Sequence, residues 1–463
     1  MARKKTVYIC SNCQYESAGY LGKCPECGSW GSLEEVEVSK EARSAGGAKK
    51  RLPKKINRLQ DVVTSNSDRI ITNIPEFNRV MGGGIVKDSV TILSAVPGAG
   101  KSTLLLQVAN DLASLGHKVL YASGEESESQ LKNRADRIVG SLSQDLWVVS
   151  DNSMDNVMSI VDDLDPKVII VDSIQTFTLE AYSSSRAGSP TQTMECANSL
   201  VEVAKDVENP RVVIIVGQMT KENEIAGVRA LEHLVDTVLI IEGESGEELR
   251  SLITTKNRYG STGEMGFFSM TDRGMISIDN PSEYFMTQRK GNHTVAGSAI
   301  TVVREGTRPI ILEIESLVSQ SFMPYPSRIS ECFRKDKLNT LISILEQRAG
   351  FQLYDKNVVI KAAGGIKLKE QSSNLAVLLS IVSSIKGIGI DNHTVFIGDV
   401  GLTGEIKKVP SLEQRIRELD RMGFKKAYVA PESSRNIQTE NIRIIEKETL
   451  KQVIDDVFQA GLF

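Results

Sequence analysis

Ala95-Val96-Pro97-Gly98-Ala99-Gly100-Lys101-Ser102-Thr103 places two glycines, a lysine and two hydroxyls within nine residues. Glycine-rich backbone can turn its N–H groups onto phosphate oxygens, and the lysine behind it can reach the β- and γ-phosphates of a nucleotide. The Ser102 hydroxyl is a hard oxygen ligand for Mg²⁺. ATP and Mg²⁺ are therefore the expected ligands. Ala95 stands where such loops usually begin with glycine; it is small enough to serve. Asp172 closes the apolar run Lys167-Val-Ile-Ile-Val, 71 residues after Lys101. This is the Walker B arrangement, in which the carboxylate holds Mg²⁺ through water. Glu125 and Glu126 leave another apolar run in Ser123-Gly-Glu-Glu-Ser127. A carboxylate there can orient and deprotonate an attacking water, and either glutamate fits.

A second chemistry is metal binding. Cys10-x-x-Cys13 and Cys24-x-x-Cys27 are two knuckles ten residues apart. Four thiolates at that spacing complete a tetrahedral Zn²⁺ site with no open position, which is structural and not catalytic.

The elements that must position these groups follow from periodicity and punctuation. Val90 to Leu93 reads as a buried strand feeding the loop. Leu104, Leu105, Val108, Ala109 and Leu112 form the apolar face of a helix opened by Lys101 and closed by Gly116. Lys118 to Ala122 reads as a strand, and Ser127-x-x-Gln130 as the capping box of the next helix. Leu146–Ser150 is a further strand, with a helix at 154–164 before the Asp172 strand. Residues 180–193 read as a long polar loop, a type usually functional, followed by a helix over about 194–206. Arg211–Gly217, Val235–Ile241 and Ser251–Thr255 complete the strands, with a second loop at 221–230. Glu125, Glu126, Asp172 and the residue after Gly217, Gln218, all sit at strand C-terminal ends, where sites lie in open α/β sheets.

After about residue 285 the pattern changes to mixed α+β without a phosphate loop. A hairpin-like pair at 299–303 and 310–314 is followed by helices over 338–349, 376–385 and 411–422. Shorter strands fall near 358–361, 395–397, 425–430 and 442–445.

The net charge of −4 excludes a polycationic protein, yet residues 1–60 carry twelve Lys/Arg against six Asp/Glu. Seven of those cations fall between Arg43 and Arg58 without an acid. Residues 36–60 thus read as a basic flexible linker. No apolar run approaches the length of a membrane span, and no signal-type segment follows Met1; a cytoplasmic protein is expected.

The combination of Cys₄ knuckles, Gly98-Ala-Gly-Lys-Ser-Thr103, Ser-Gly-Glu-Glu-Ser, Lys256-Asn-Arg-Tyr-Gly260 and a tail similar to the proteolytic domain of Lon resembles the bacterial RadA (Sms) proteins over nearly the whole chain. The resemblance implies an α/β fold. A Cys₄ zinc ribbon (1–35) and the linker would precede a RecA-like P-loop ATPase core (61–285) and an α+β Lon-like domain (286–463). It further implies a DNA-dependent ATPase of repair and homologous recombination, translocating on single-stranded DNA as a homohexamer and branch-migrating recombination intermediates. The implied partners are single-stranded and branched DNA, a recombinase and a replicative helicase.

Ring ATPases set a cation of one subunit against the nucleotide of the next, and Lys256 and Arg258 are the expected catalytic pair. Tyr259 replaces the usual phenylalanine of the family and keeps the ring. Gln218 stands where the family often has histidine, and can sense a γ-phosphate by hydrogen bonding. In the Lon-like tail Ser372 aligns with the nucleophilic serine, but Glu413 aligns with the lysine base, so a scaffold is expected rather than a protease. The competing readings are an ATP-dependent protease and a regulatory RecA-like switch of the KaiC kind.

Overall fold

The computed structural model describes residues 69–459 apart from 219–229, 244–245 and 288–293, together with residues 58 and 60 and the backbone of three N-terminal strands. These strands, Lys5–Cys10, Glu16–Ser17 and Leu33–Val38, form one antiparallel sheet. The last of them runs three residues into the stretch expected to be linker. Residues 1–65 are one compact unit and 66–463 another.

The larger unit holds two main sheets. In the first, β1 (Val90–Ala95), β2 (Val119–Ser123), β3 (Leu146–Ser150), β4 (Val168–Asp172), β5 (Val212–Gln218) and β6 (Thr237–Glu242) are parallel, in the order β6-β1-β5-β4-β2-β3. β1, β2 and β4 are buried along their whole length. Strands covered on both faces read as continuous apolar runs, which makes them legible in the sequence. α1 (Lys101–Ser114), α2 (Glu128–Ile138), α3 (Met154–Leu164) and α4 (Pro190–Ala204) connect them.

Register brings the chemistry together. Gln218 of β5 pairs with Ala95 of β1, and Asp172 of β4 with Ser123 of β2. The four strand ends therefore face one edge of the sheet. Beyond β6 the sheet turns antiparallel through β7 (Leu249–Asn257), β8 (Met265–Thr271) and β9 (Gly274–Ser277). β8 and β9 are additions to the expected strands, and β7 takes in the first two residues of the Lys256–Gly260 pentapeptide. α4 also begins four residues earlier than expected. Ser189 caps it by accepting the Gln192 N–H at 3.3 Å, and Pro190 fits the first turn because it has no N–H to leave unpaired. The polar loop before it is correspondingly shorter and contains a 3₁₀ turn at Glu180–Tyr182.

The second sheet is built on β10 (Ser298–Glu305) and the long β11 (Arg308–Gln320), which pair antiparallel. β12 (Arg328–Ser330), β13 (Lys356–Ala362), β14 (Thr394–Phe396), β15 (Lys426–Val429) and β16 (Arg443–Glu446) complete the order β12-β13-β11-β10-β14-β15-β16. α5 (Lys335–Ala349), α6 (Asn374–Lys386) and α7 (Leu412–Arg421) pack on it. The boundary expected at 285/286 falls inside a core: Phe285 packs edge-on against Phe267 of β8 at 5.4 Å, in the same apolar cluster as Ile310 and Leu312.

Candidate active site

The loop between β1 and α1 is shaped by glycine. Gly98 has φ +80° and Gly100 φ +105°, conformations that cost an L-residue strain. A Cβ on Gly98 would meet nothing, whereas one on Gly100 would lie 2.5 Å from Met270 Cε of β8. Gly100 caps α1 with no side-chain acceptor, so the first N–H groups of the helix are left to a ligand.

The cleft above this loop has a volume of about 410 Å³ and is walled by Lys101, Ser102, Glu125, Asp172, Ser173 and Gln218. Lys101 Nζ donates to the Ala95 carbonyl at 3.0 Å. Burial pulls its pKa down, against the pull of Asp172 and Glu125. Ser102 Oγ donates to Asp172 Oδ2 at 2.8 Å, and the buried Tyr121 hydroxyl donates to the same oxygen at 2.7 Å. Burial raises the Asp172 pKa, while these two bonds favour the carboxylate. A serine oxygen and a carboxylate side by side on the cleft wall fit a hard cation. The open face at Gly98 and the uncapped helix end fit the phosphates it would accompany.

The two glutamates are not equivalent. Glu125 Oε1 accepts from Ser173 Oγ at 2.5 Å and from Gln218 Nε2 at 2.7 Å, on the cleft wall. Glu126 is held by both guanidinium nitrogens of Arg134, one at 2.6 Å. Of the two, Glu125 is the one on the cleft wall, within reach of a water there, while Glu126 is turned to Arg134. Glu125→Gln is therefore expected to lower kcat about 10²–10⁴-fold, the usual worth of a general base, and Glu126→Gln to leave it within about threefold. Steady-state ATPase rates check this, and the reverse ranking would contradict it.

Lys256 and Arg258 stand elsewhere. Thr237 of β6 pairs with both Thr91 and Asn257, so the pentapeptide lies at the N-terminal end of β1, opposite the loop. The six residues of β1 separate the two by about 20 Å. Lys256 Nζ donates to the Glu232 carbonyl and, at 2.9 Å, to that of Val235. Arg258 Nη1 pairs with Asp236 Oδ1 at 3.2 Å and remains 54% exposed.

Sequence reasoning missed Ser173, Met270, Arg134 and Arg137, which also line the cleft. The two arginines carried a signal: three residues apart on a capped helix, they share one face. Met270 carried none, since nothing in the sequence marks its strand.

In the second sheet the expected Glu413 is corrected. It lies exposed and pairs with Arg417 one turn along α7. The side chains that meet Ser372 are Glu370, whose Oε2 accepts from Ser372 Oγ at 2.8 Å, and the fully buried Arg415, which donates to Ser372 Oγ at 3.3 Å and to both Glu370 oxygens at 2.6 and 2.8 Å. Glu413 and Arg415 differ by two residues, which on a helix turns a side chain to another face.

Cys10 closes the first N-terminal strand; the thiols of Cys10, Cys13, Cys24 and Cys27 lie outside the described residues, as does the loop at 221–229. Four soft thiolates remain a donor set suited to Zn²⁺.

A family model described as an AAA domain matches residues 53–223, and one described as a rubredoxin metal binding domain matches residues 8–35. The DNA repair protein RadA of Bacillus subtilis (strain 168) is 41% identical over 432 residues, 93% of each chain. That of Listeria monocytogenes serovar 1/2a is 39% identical over 455 residues, 98% of each. That of Streptococcus pyogenes serotype M1 is 40% identical over 462 residues, 99% of this chain and all of the relative.

Proposed function

This chain belongs to the RadA family of DNA repair proteins, and from that premise we propose that it is a DNA-dependent ATPase that moves on single-stranded DNA and drives branch migration of recombination intermediates. The AAA domain makes it an ATPase by type. The observation that carries the hydrolytic part is the meeting of Lys101, Ser102, Asp172 and Glu125 around one cleft.

In this reading the loop N–H groups and Lys101 bind the β- and γ-phosphates. Ser102 and Asp172 hold Mg²⁺, which when bound neutralises charge on the transferred phosphoryl group. Glu125 takes the proton of the attacking water, fixed in place by Ser173 and Gln218. Gln218 touches both the base and the cleft and so reports whether a γ-phosphate is present. Arg258 and Lys256 lie too far from this cleft to serve it, which supports their acting on the nucleotide of a neighbour in a homohexameric ring. Zn²⁺ on the four N-terminal thiolates is structural, and the basic segment 43–58 offers charge for DNA phosphates. A recombinase and a replicative helicase are the protein partners proposed.

The protease reading is disfavoured by the surroundings of Ser372. A guanidinium stays protonated and cannot act as a base; Glu370 accepts the Ser372 hydroxyl, but against the upward pull of burial its bonds to Arg415 lower its pKa and leave it a weak base. The second sheet is read as a scaffold for ring and DNA. Among the described residues no helix is long and apolar enough to cross a membrane; a cytoplasmic location is part of the proposal.

The test is a preformed three-strand junction with one labelled strand, incubated with protein, Mg²⁺ and ATP. The expected result is strand displacement that requires hydrolysis and stops with a non-hydrolysable analogue. Displacement equal with the analogue would overturn the motor reading.

A further inference from the structure

Asp236, just before β6, is a hub. Its N–H donates to the Val90 carbonyl at 2.8 Å and its own carbonyl accepts the Arg258 N–H at 3.1 Å. The side chain, 2% exposed, accepts the Val90 N–H at 2.9 Å and Lys205 Nζ at 2.8 Å on Oδ2, and Arg258 Nη1 at 3.2 Å on Oδ1. One buried carboxylate thus pairs directly with two cations of unequal hold, while Lys256 feels its charge but is bonded to the Val235 carbonyl. Arg258 has the longer contact and the more exposed side chain. Lys205 has the shorter contact and a second acceptor, the Tyr259 hydroxyl at 3.2 Å. Burial disfavours the Lys205 ammonium, but Asp236 and Tyr259 outweigh it and raise its pKa.

A buried carboxylate stripped of its cation is strongly unfavourable. Were Asp236 paired with Arg258 alone, that arginine could not depart towards a phosphate without exposing the cost. We infer that Lys205 is a positioning residue that keeps Asp236 neutralised and so lets Arg258 leave its parked contact for the nucleotide of a neighbouring subunit. This rests on the reading of Arg258 as acting between subunits. It also gives a role to the Tyr259 hydroxyl, which the phenylalanine usual in the family lacks. That hydroxyl gives the Lys205 ammonium a second fixed acceptor beside Asp236.

The test is steady-state ATPase of the full-length protein with an oligo-dT strand and varied ATP. Lys205→Met is expected to lower kcat about tenfold with KM for ATP unchanged, because its own cleft lies at the other end of β1. Adding Asp236→Asn to it should restore most of the rate, since a neutral amide demands no cation. Lys205→Arg, which keeps the charge, should remain near the parent rate. A kcat for Lys205→Met within twofold of the parent, a double variant no faster than the single one, or a Lys205→Arg variant as slow as Lys205→Met would each overturn the inference. Arg258→Ala run alongside separates the two levels. If it retains the parent rate, the intersubunit reading has failed; if it is slow while Lys205→Met is normal, only the role of Lys205 has.

Discussion

Lys101→Ala protein is expected to lose ATP turnover by at least about 10²–10³-fold at saturating ATP and Mg²⁺, the scale on which removing one charge-stabilising donor acts. Lys101 opens α1 at the mouth of the cleft, and among the described residues its ammonium bonds the carbonyls of Ala95 and, at 3.5 Å, Val96. Nothing in the apolar core rests on it. The helix is held instead by Leu104, Leu105, Val108, Ala109 and Leu112, all buried. The variant should therefore keep the parent's far-ultraviolet circular dichroism and melting temperature. Turnover within twofold of the parent would remove the phosphate-binding assignment.

The second large effect is expected of Arg258→Ala, about 10³-fold or more in kcat if its guanidinium meets the transferred phosphoryl group as arginine fingers do. The geometry makes a further demand. Arg258 lies by the opposite end of β1 from its own Lys101, so a finger role for it requires that the two residues completing one site come from different subunits. Mixing Arg258→Ala with Lys101→Ala protein creates interfaces where an intact Lys101 faces an intact Arg258. Hydrolysis should return there in proportion to the mixed interfaces formed. Mixed rings, demonstrated by labelled subunits, that show no rescue would contradict an intersubunit role.

The parallel strands and their helices are legible in the sequence because burial on both faces leaves long apolar runs, and because Ser127-x-x-Gln130 and Gly116 mark helix ends plainly. Lys101, Ser102 and Asp172 are legible for the same reason, as each sits at a fixed offset from such a run. What does not show is contact between residues far apart in the chain. Glu125 and Glu126 are adjacent and chemically alike; only the fold reveals that Arg134 takes one and leaves the other to Ser173 and Gln218. Asp236 is one acid among many until β1, the end of α4 and the end of β7 bring Val90, Lys205 and Arg258 around it. Glu413 and Arg415 differ by a rotation on α7 that the order of residues does not show. β8 and β9 escape notice because short antiparallel strands with mixed faces carry weak periodicity, and with them goes Met270 at the loop.

If the protein is an ATPase that answers to DNA, ATP hydrolysis measured with and without single-stranded DNA tests it most directly. The prediction is a rate raised severalfold or more by an oligo-dT strand, and less so at about 200 mM than at about 50 mM salt, because phosphate contacts weaken over that range. A hydrolysis rate that is the same with and without the strand at either salt would contradict it.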